Sequence, residues 1–148
     1  MSDIKLIQLI GDIDDDSMQD FGWMLAEDGF EKISEYAYGI GPNKHLIFKD
    51  IEDKGGRDES NFIKRAHRAN LKVHPWTFRN EKKYFNNDYF ESMEQEVIFL
   101  FHLGVDGVFT DNPDVVLNAR SKFLQGQANP FLKHEIVSQF TEAEGKEN

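Results

Sequence analysis

The sequence predicts an α/β fold of parallel βα units, closed as a barrel or laid out as an open doubly wound sheet. Three observations carry this. Short apolar runs at Ile4–Ile10, Val73–Phe78 and Val105–Thr110 end in polar or aromatic residues, as strands buried on both faces do when their carboxyl ends meet a cleft. The segments between them place apolar residues at helical spacing: Phe62, Ile63, Ala66 and Ala69 in one, Val97, Ile98, Leu100, Phe101 and Leu103 in another. A helix between consecutive strands returns the chain to the same end of the sheet, so the pairing is parallel.

Ile4–Ile10 reads as a buried strand. Gln8 interrupts its apolar run, either as a core amide hydrogen-bonded within the sheet or as an inward-facing polar contact at the cleft. Gly11–Asp20 holds five acids. Asp12, Asp14 and Asp16 have the spacing of a calcium loop, but Ser17 stands where an EF-hand needs Gly and Trp23 where it needs Glu. The stretch therefore reads as a solvated acidic loop. A helix from about Asp28 to Tyr36 puts Phe30, Ile33 and Ala37 on one face. Gly39-Ile40-Gly41-Pro42 reads as a very short strand whose glycines permit close backbone approach. The polar stretch Asn43–Asp58, broken at Gly55-Gly56, reads as a long cleft-side loop with His45 on the surface.

Glu59–Ala69 is an amphipathic helix ended by Asn70, a residue suited to the left-handed conformation. His67 falls in its basic last turn, where it complements the helix dipole. The histidines at 45, 67, 74, 102 and 134 form no ligand pair, so their spacing supports no zinc site. In the strand Val73–Phe78, Pro75 donates no ladder hydrogen bond and belongs near a strand end or bulge, which brings Trp76 and Thr77 to the cleft rim. Alternation sets His74, Trp76 and Phe78 on one side and Val73, Pro75 and Thr77 on the other. In the polar loop Arg79–Asp88, Arg79, Lys82 and Lys83 could attract a phosphate, yet their mixture with acids reads as a solvated run.

Ser92–Leu103 is a widely apolar helix capped by Gly104. After the strand Val105–Thr110, Asn112 reads as an N-cap, Pro113 as the first helical residue and Asp114 as its acidic first turn. Asp111 and Asp114 oppose an anion there. Residues 1–124 make the folded unit; 125–148 form a polar tail, a short helix or disordered.

Bulk numbers narrow the class. At 148 residues the chain is one domain's worth, below the ~250 residues of a complete eight-stranded βα barrel. A net charge of −10 disfavours nucleic acid as a partner. No apolar stretch approaches the ~20 residues of a membrane span, and Met1-Ser2-Asp3-Ile4-Lys5 lacks the pattern of a signal peptide. The absence of Cys removes disulfide and thiol chemistry, which fits a cytoplasmic default but equally a secreted barrel without disulfides.

Several of these segments share a resemblance. "KVHPWTFRNE" at Lys72–Glu81 and "GVDGVFTDNPD" at Gly104–Asp114 resemble the end of the glycerophosphodiester phosphodiesterase family, closest to its secreted bacterial branch. "KLIQLI" at Lys5–Ile10, "WML" at Trp23–Leu25 and "YAYGIGP" at Tyr36–Pro42 extend the match collinearly. The resemblance implies that residues 1–124 are roughly the last half of a TIM (β/α)8 barrel of the PLC-like phosphodiesterase type. It implies hydrolysis of glycerophosphodiesters to sn-glycerol 3-phosphate and an alcohol, in lipid and glycerol metabolism. It also places an aromatic against the substrate pocket, making Trp76 and Thr77, with Gln8, candidates for the pocket wall.

The family's chemistry uses two histidines as acid and base and a divalent metal, calcium or magnesium, held by carboxylates. Those groups belong to a His-Arg-Gly, a Glu-x-Asp, a His-Asp and a Glu-x-Lys strand in the first half of the barrel. None is matched here; His67-Arg68-Ala69 is a near miss inside a helix, and Glu52 has the wrong context. No catalytic residue and no metal ligand is therefore assigned, and the expectation is a chain that binds no metal and is inactive alone. Its unpaired parallel edges call for a missing N-terminal half-barrel or a homodimer. The family branch is often periplasmic or secreted, so the compartment stays open. Two alternatives stand beside this reading: a non-catalytic half-barrel acting as a structural or interaction partner, and a fragment of a related phospholipase-D-type toxin.

Overall fold

The computed structural model describes residues 3–11, 22–53, 60–85 and 89–126. Within them the order is β1 (Ile7–Ile10), α1 (Gly29–Ser34), β2 (Gly39–Pro42), α2 (Lys44–Glu52), α3 (Asn61–Arg68), β3 (Lys72–Val73), α4 (Met93–Leu103) and α5 (Pro113–Leu124). The strands form a parallel sheet in sequence order β1-β2-β3, with Ile7 opposite Gly39, Leu9 opposite Gly41 and Ile40 opposite Val73. Parallel strands in simple succession, each followed by a helix, are the α/β arrangement that the apolar runs predict.

The sheet continues past β3, irregularly. Asp106 N donates to the Val73 carbonyl and Phe109 N to the Pro75 carbonyl, and Phe78 bridges to Thr110 in parallel. Val73 to Pro75 is two steps against three from Asp106 to Phe109, and Pro75 to Phe78 is three against two from Phe109 to Asp111, so the pairing is irregular without a net surplus residue. Pro75 offers no N–H to hold a regular register there. Where strands are expected at Val73–Phe78 and Val105–Thr110, only Lys72–Val73 forms regular ladder; the remainder pairs through single hydrogen bonds and the Asn43–Trp76 and Phe78–Thr110 bridges. The strand expected at Ile4–Ile10 is shorter: Ile4 and Leu6 are 75% and 54% exposed, and ladder pairing covers Ile7–Ile10.

One face of this sheet is covered by helices. Ile10, Ile40 and Val73 are buried there with Phe30, Ile33, Ile47, Ile51, Ile63, Val97 and Leu100. Each large side chain taken fully from water contributes about 1.5–3 kcal/mol, so this layer is the main stabiliser. Local signals fix the helix ends. Ser60 Oγ accepts from Ile63 N at the start of α3 and donates to Asp50 Oδ2, which also accepts from Phe62 N, tying α2 to α3. Ser92 caps α4 by accepting from Gln95 N, while Gln95 Oε1 reaches back to Glu91 N. Asn70 (φ 60°) and Gly104 (φ 102°) take the left-handed conformation expected of them.

The long loop expected over Asn43–Asp58 is instead helical from Lys44 to Glu52. Its many polar residues hide an apolar stripe, Ile47, Phe48 and Ile51, spaced for one helix face and buried. Asn43 supplies the cap, its Oδ1 accepting from His45 N. Asn112 does the reverse. It precedes α5, but its Oδ1 accepts from Asn80 N and so braces the neighbouring loop rather than its own helix. The acidic stretch at 12–20 and the tail from 127 onward lie outside the described residues.

Candidate functional site

The face of the sheet opposite the helices is built by Ile7 and Leu9 of β1, by Gly41 of β2, and by His74, Trp76, Gly107 and Phe109. The glycines make room. A Cβ on Gly41 would stand 2.7 Å from Leu9 Cδ2, and one on Gly107 would stand 2.5 Å from the His74 ring. His74 and Phe109 lie 6.3 Å apart between centroids. A cavity of about 550 Å³ opens on this face, lined by Ile7, Leu9, Trp76, Thr77, Phe109, Thr110 and Asp111.

A second cavity of about 560 Å³ lies at the carboxyl ends of β2 and β3, where α/β folds place their ligands. Its lining includes Asn43, Lys44, His45, Arg79, Lys83 and Tyr84, together with Trp76 and Thr77. Trp76 and Thr77 thus form the wall between the two cavities. The peptide bond joining them is cis. Trp76 Nε1 donates to the Gly41 carbonyl at 2.6 Å, which holds the indole across the end of β2.

Gln8 is placed elsewhere. Alternation turns it away from Ile7 and Leu9, and its Oε1 accepts from the Tyr36 hydroxyl at 2.9 Å, beyond the end of α1. It lines neither cavity. The alternation read for Val73–Phe78 holds through Trp76 and then reverses. Thr77 faces the cavities, and Phe78 is fully buried with the Lys44 ammonium 5.0 Å from its ring centroid.

Three charge arrangements set the electrostatics. Lys44 Nζ lies 3.0 and 3.1 Å from the two Glu96 oxygens, with both side chains buried, and also donates to the Tyr84 carbonyl. Arg79 Nε pairs with Asp111 at 2.6 Å, while the guanidinium lies 4.8 Å from the Tyr84 ring centroid and Lys83 Nζ lies 4.6 Å from it. The Lys83 ammonium, by hydrogen bond and by charge, holds the Tyr84 phenol below its ordinary range, with Arg79 adding to it. At the opposite end of the strands, Asp106 accepts from Val73 N and pairs with His67 and Lys72. Burial pushes its carboxyl up, but the Val73 N–H and His67 outweigh that and hold it below the usual carboxylate range. Burial lowers His74, against Asp106, so its ring favours the neutral form; its Nδ1 is buried with no partner among the described residues.

The described residues do not fit a divalent cation. One cavity is lined by bases, the other offers a single carboxylate already held by Arg79, and no group of three or more potential metal ligands occurs among the described residues. No helix among them is long and apolar enough to cross a membrane.

Parallel βα units with cavities at the strand ends define an α/β domain built on a parallel sheet. The chain belongs to the glycerophosphoryl diester phosphodiesterase family, a family of TIM-barrel hydrolases whose model matches residues 2–115. It is 30% identical over 115 residues to a glycerophosphodiester phosphodiesterase of Arabidopsis thaliana, covering 75% of this chain and 31% of that protein. It is 28% identical over 137 residues to a glycerophosphodiester phosphodiesterase of Haemophilus influenzae, covering 84% of this chain and 36% of that protein. A third, from Treponema pallidum, is 28% identical over 125 residues, covering 76% and 34%. The chain therefore spans about a third of the length of the curated relatives it matches.

The sequence names Trp76 and Thr77 as wall candidates and presents Arg79–Asp88 as a solvated run; it misses the Lys44–Glu96 pair. Glu96, immediately before the apolar run Val97–Phe101, was the available signal, since a buried acid calls for a buried base.

Proposed function

We propose that this chain forms the late βα units of a glycerophosphodiester phosphodiesterase barrel, with residues 1–124 as its C-terminal half. The whole barrel hydrolyses glycerophosphodiesters to sn-glycerol 3-phosphate and an alcohol. Trp76 and Thr77 form its pocket wall; the acid–base histidines and metal-binding carboxylates come from the first half, and this chain alone turns over nothing. The observation that carries the reading is the uncovered inner face. Leu9 is 53% and Phe109 43% exposed beside a cavity on the face that a closed barrel buries. On the outer helix α5, Leu117 and Leu124 are 61% and 63% exposed, where a neighbouring helix of a closed ring would pack. The alternative occupant of the same face is a second copy of this chain.

The test is complementation. The purified chain with glycerophosphocholine and calcium releases no glycerol 3-phosphate above blank. Co-expression with the first half of a family barrel restores release, and Phe109→Asp removes it again. Turnover by the chain alone overturns the reading. Light scattering decides the alternative, because a cooperatively melting dimer identifies an autonomous half-barrel.

A further inference from the structure

We infer that the cavity between the start of α2 and the loop after β3 is a second anion subsite, receiving a phosphate carried on the alcohol portion of the diester. The inference rests on the hydrolase reading above and narrows its substrate class. The cavity, about 560 Å³, is of ligand size, and among the described residues no carboxylate lines it. That is unexpected in a chain with 27 acids against 17 Lys and Arg.

The bases divide by role. Lys44 is committed to Glu96 and contributes little field. Arg79 uses Nε for Asp111, whose carboxylate lines the other cavity, so its remaining guanidinium nitrogens are on the Tyr84 side. Lys83 converges on the same ring. Both cations lie against the Tyr84 ring and line the cavity, with Asp111 as the one carboxylate paired to them among the described residues, so an anion entering the cavity meets a net positive field. Arg offers a planar fork matched to two phosphate oxygens, and Lys a point charge. The backbone at the start of α2 is not the attractant, because Lys44 N is taken by the Trp76 carbonyl and His45 N by Asn43 Oδ1.

The wall shared by the two cavities supplies the route. A diester seated at the carboxyl-terminal rim against Trp76 and Thr77 carries its alcohol substituent across that wall into the basic cavity. A phosphate there meets Arg79 and Lys83, whereas a choline ammonium is repelled. The favoured substrates are diesters whose alcohol bears a further phosphate.

An NMR titration of the ¹⁵N-labelled full chain tests this with three probes: inorganic phosphate, glycerophosphoglycerol 3-phosphate and glycerophosphocholine. The expected result is saturable shifts of the Trp76 indole N–H and the Thr77–Tyr84 amides. The doubly phosphorylated ligand binds at least tenfold tighter than glycerophosphocholine and tighter than phosphate alone. Lys83→Gln, on an exposed side chain, weakens it severalfold, and Arg79→Gln/Lys83→Gln at least tenfold. Absence of shifts, or an unchanged affinity in the double variant, overturns the subsite. Equal affinity for inorganic phosphate and the doubly phosphorylated ligand overturns its assignment to the substrate. Because binding is read without turnover, failed complementation sinks the hydrolase reading separately.

Discussion

Replacing Glu96 by Gln is the perturbation whose consequence the structure defines most closely. Lys44 and Glu96 side chains are 6% and 0% exposed, and the ammonium meets both carboxylate oxygens within 3.1 Å. At an effective dielectric of ~20, opposite charges ~3 Å apart attract by roughly 5 kcal/mol before either ion's lost hydration is counted. Glutamine keeps the shape and removes the charge, leaving Lys44 buried with the Tyr84 carbonyl and an amide oxygen. Removing one partner of a buried pair costs about 3–5 kcal/mol. With a urea m-value of about 2 kcal/mol/M, the unfolding midpoint falls by roughly 1.5–2.5 M. Lys44→Met/Glu96→Leu removes both charges and fills the space, so it lies within about 1 kcal/mol of the parent. The assay is urea unfolding followed by far-UV circular dichroism. If Glu96→Gln costs under about 1 kcal/mol, or the double substitution costs the sum of its parts, the two charges do not depend on each other and the argument fails. The pair matters for the site because it clamps the start of α2 and the Tyr84 loop, both walls of the basic cavity, onto α4.

Two further predictions follow from the same geometry. Asp106→Asn destabilises the chain by about 1 kcal/mol at pH 7, after allowance for partial exposure. The native carboxyl sits below its unfolded value of about 3.9, so its contribution is complete above that pH and is lost as pH falls through the lower folded value. Denaturation curves of parent and variant therefore converge in strong acid; a difference that grows on acidification contradicts the assignment. Gly39→Ala and Gly107→Ala separate rigid from yielding contacts. A Cβ on Gly39 meets the Lys72 carbonyl oxygen at 2.6 Å, which is sheet backbone, whereas one on Gly107 meets the His74 ring. Overpacking costs ~1–3 kcal/mol, with Gly39→Ala at the top of that range or above and Gly107→Ala lower because an imidazole can rotate. Thermal melts showing the reverse order would refute this account of the inner face.

What the sequence determined by itself is the local and periodic part of the molecule. The apolar runs set the parallel order of strands, and the stripes in α3 and α4 set the helix faces. Asn70 and Gly104 act next to the helices they end, so their roles are legible in one dimension; Ser60 and Ser92, which the sequence pattern puts inside their helices, are the caps before them. Where signals conflicted locally, polarity misled: the stripe of α2 was masked by Lys44, His45, Lys49 and Asp50, and Asn112 was given to its own helix when a loop over thirty residues upstream claims it. Tertiary structure alone decided which face each strand presents. Gln8 turns to Tyr36, Trp76 stands between two cavities, and Lys44 finds Glu96 across 52 positions of chain. Charge pairing and cavity shape depend on distances between residues far apart in sequence, and a pattern of period two or 3.6 carries no record of those distances.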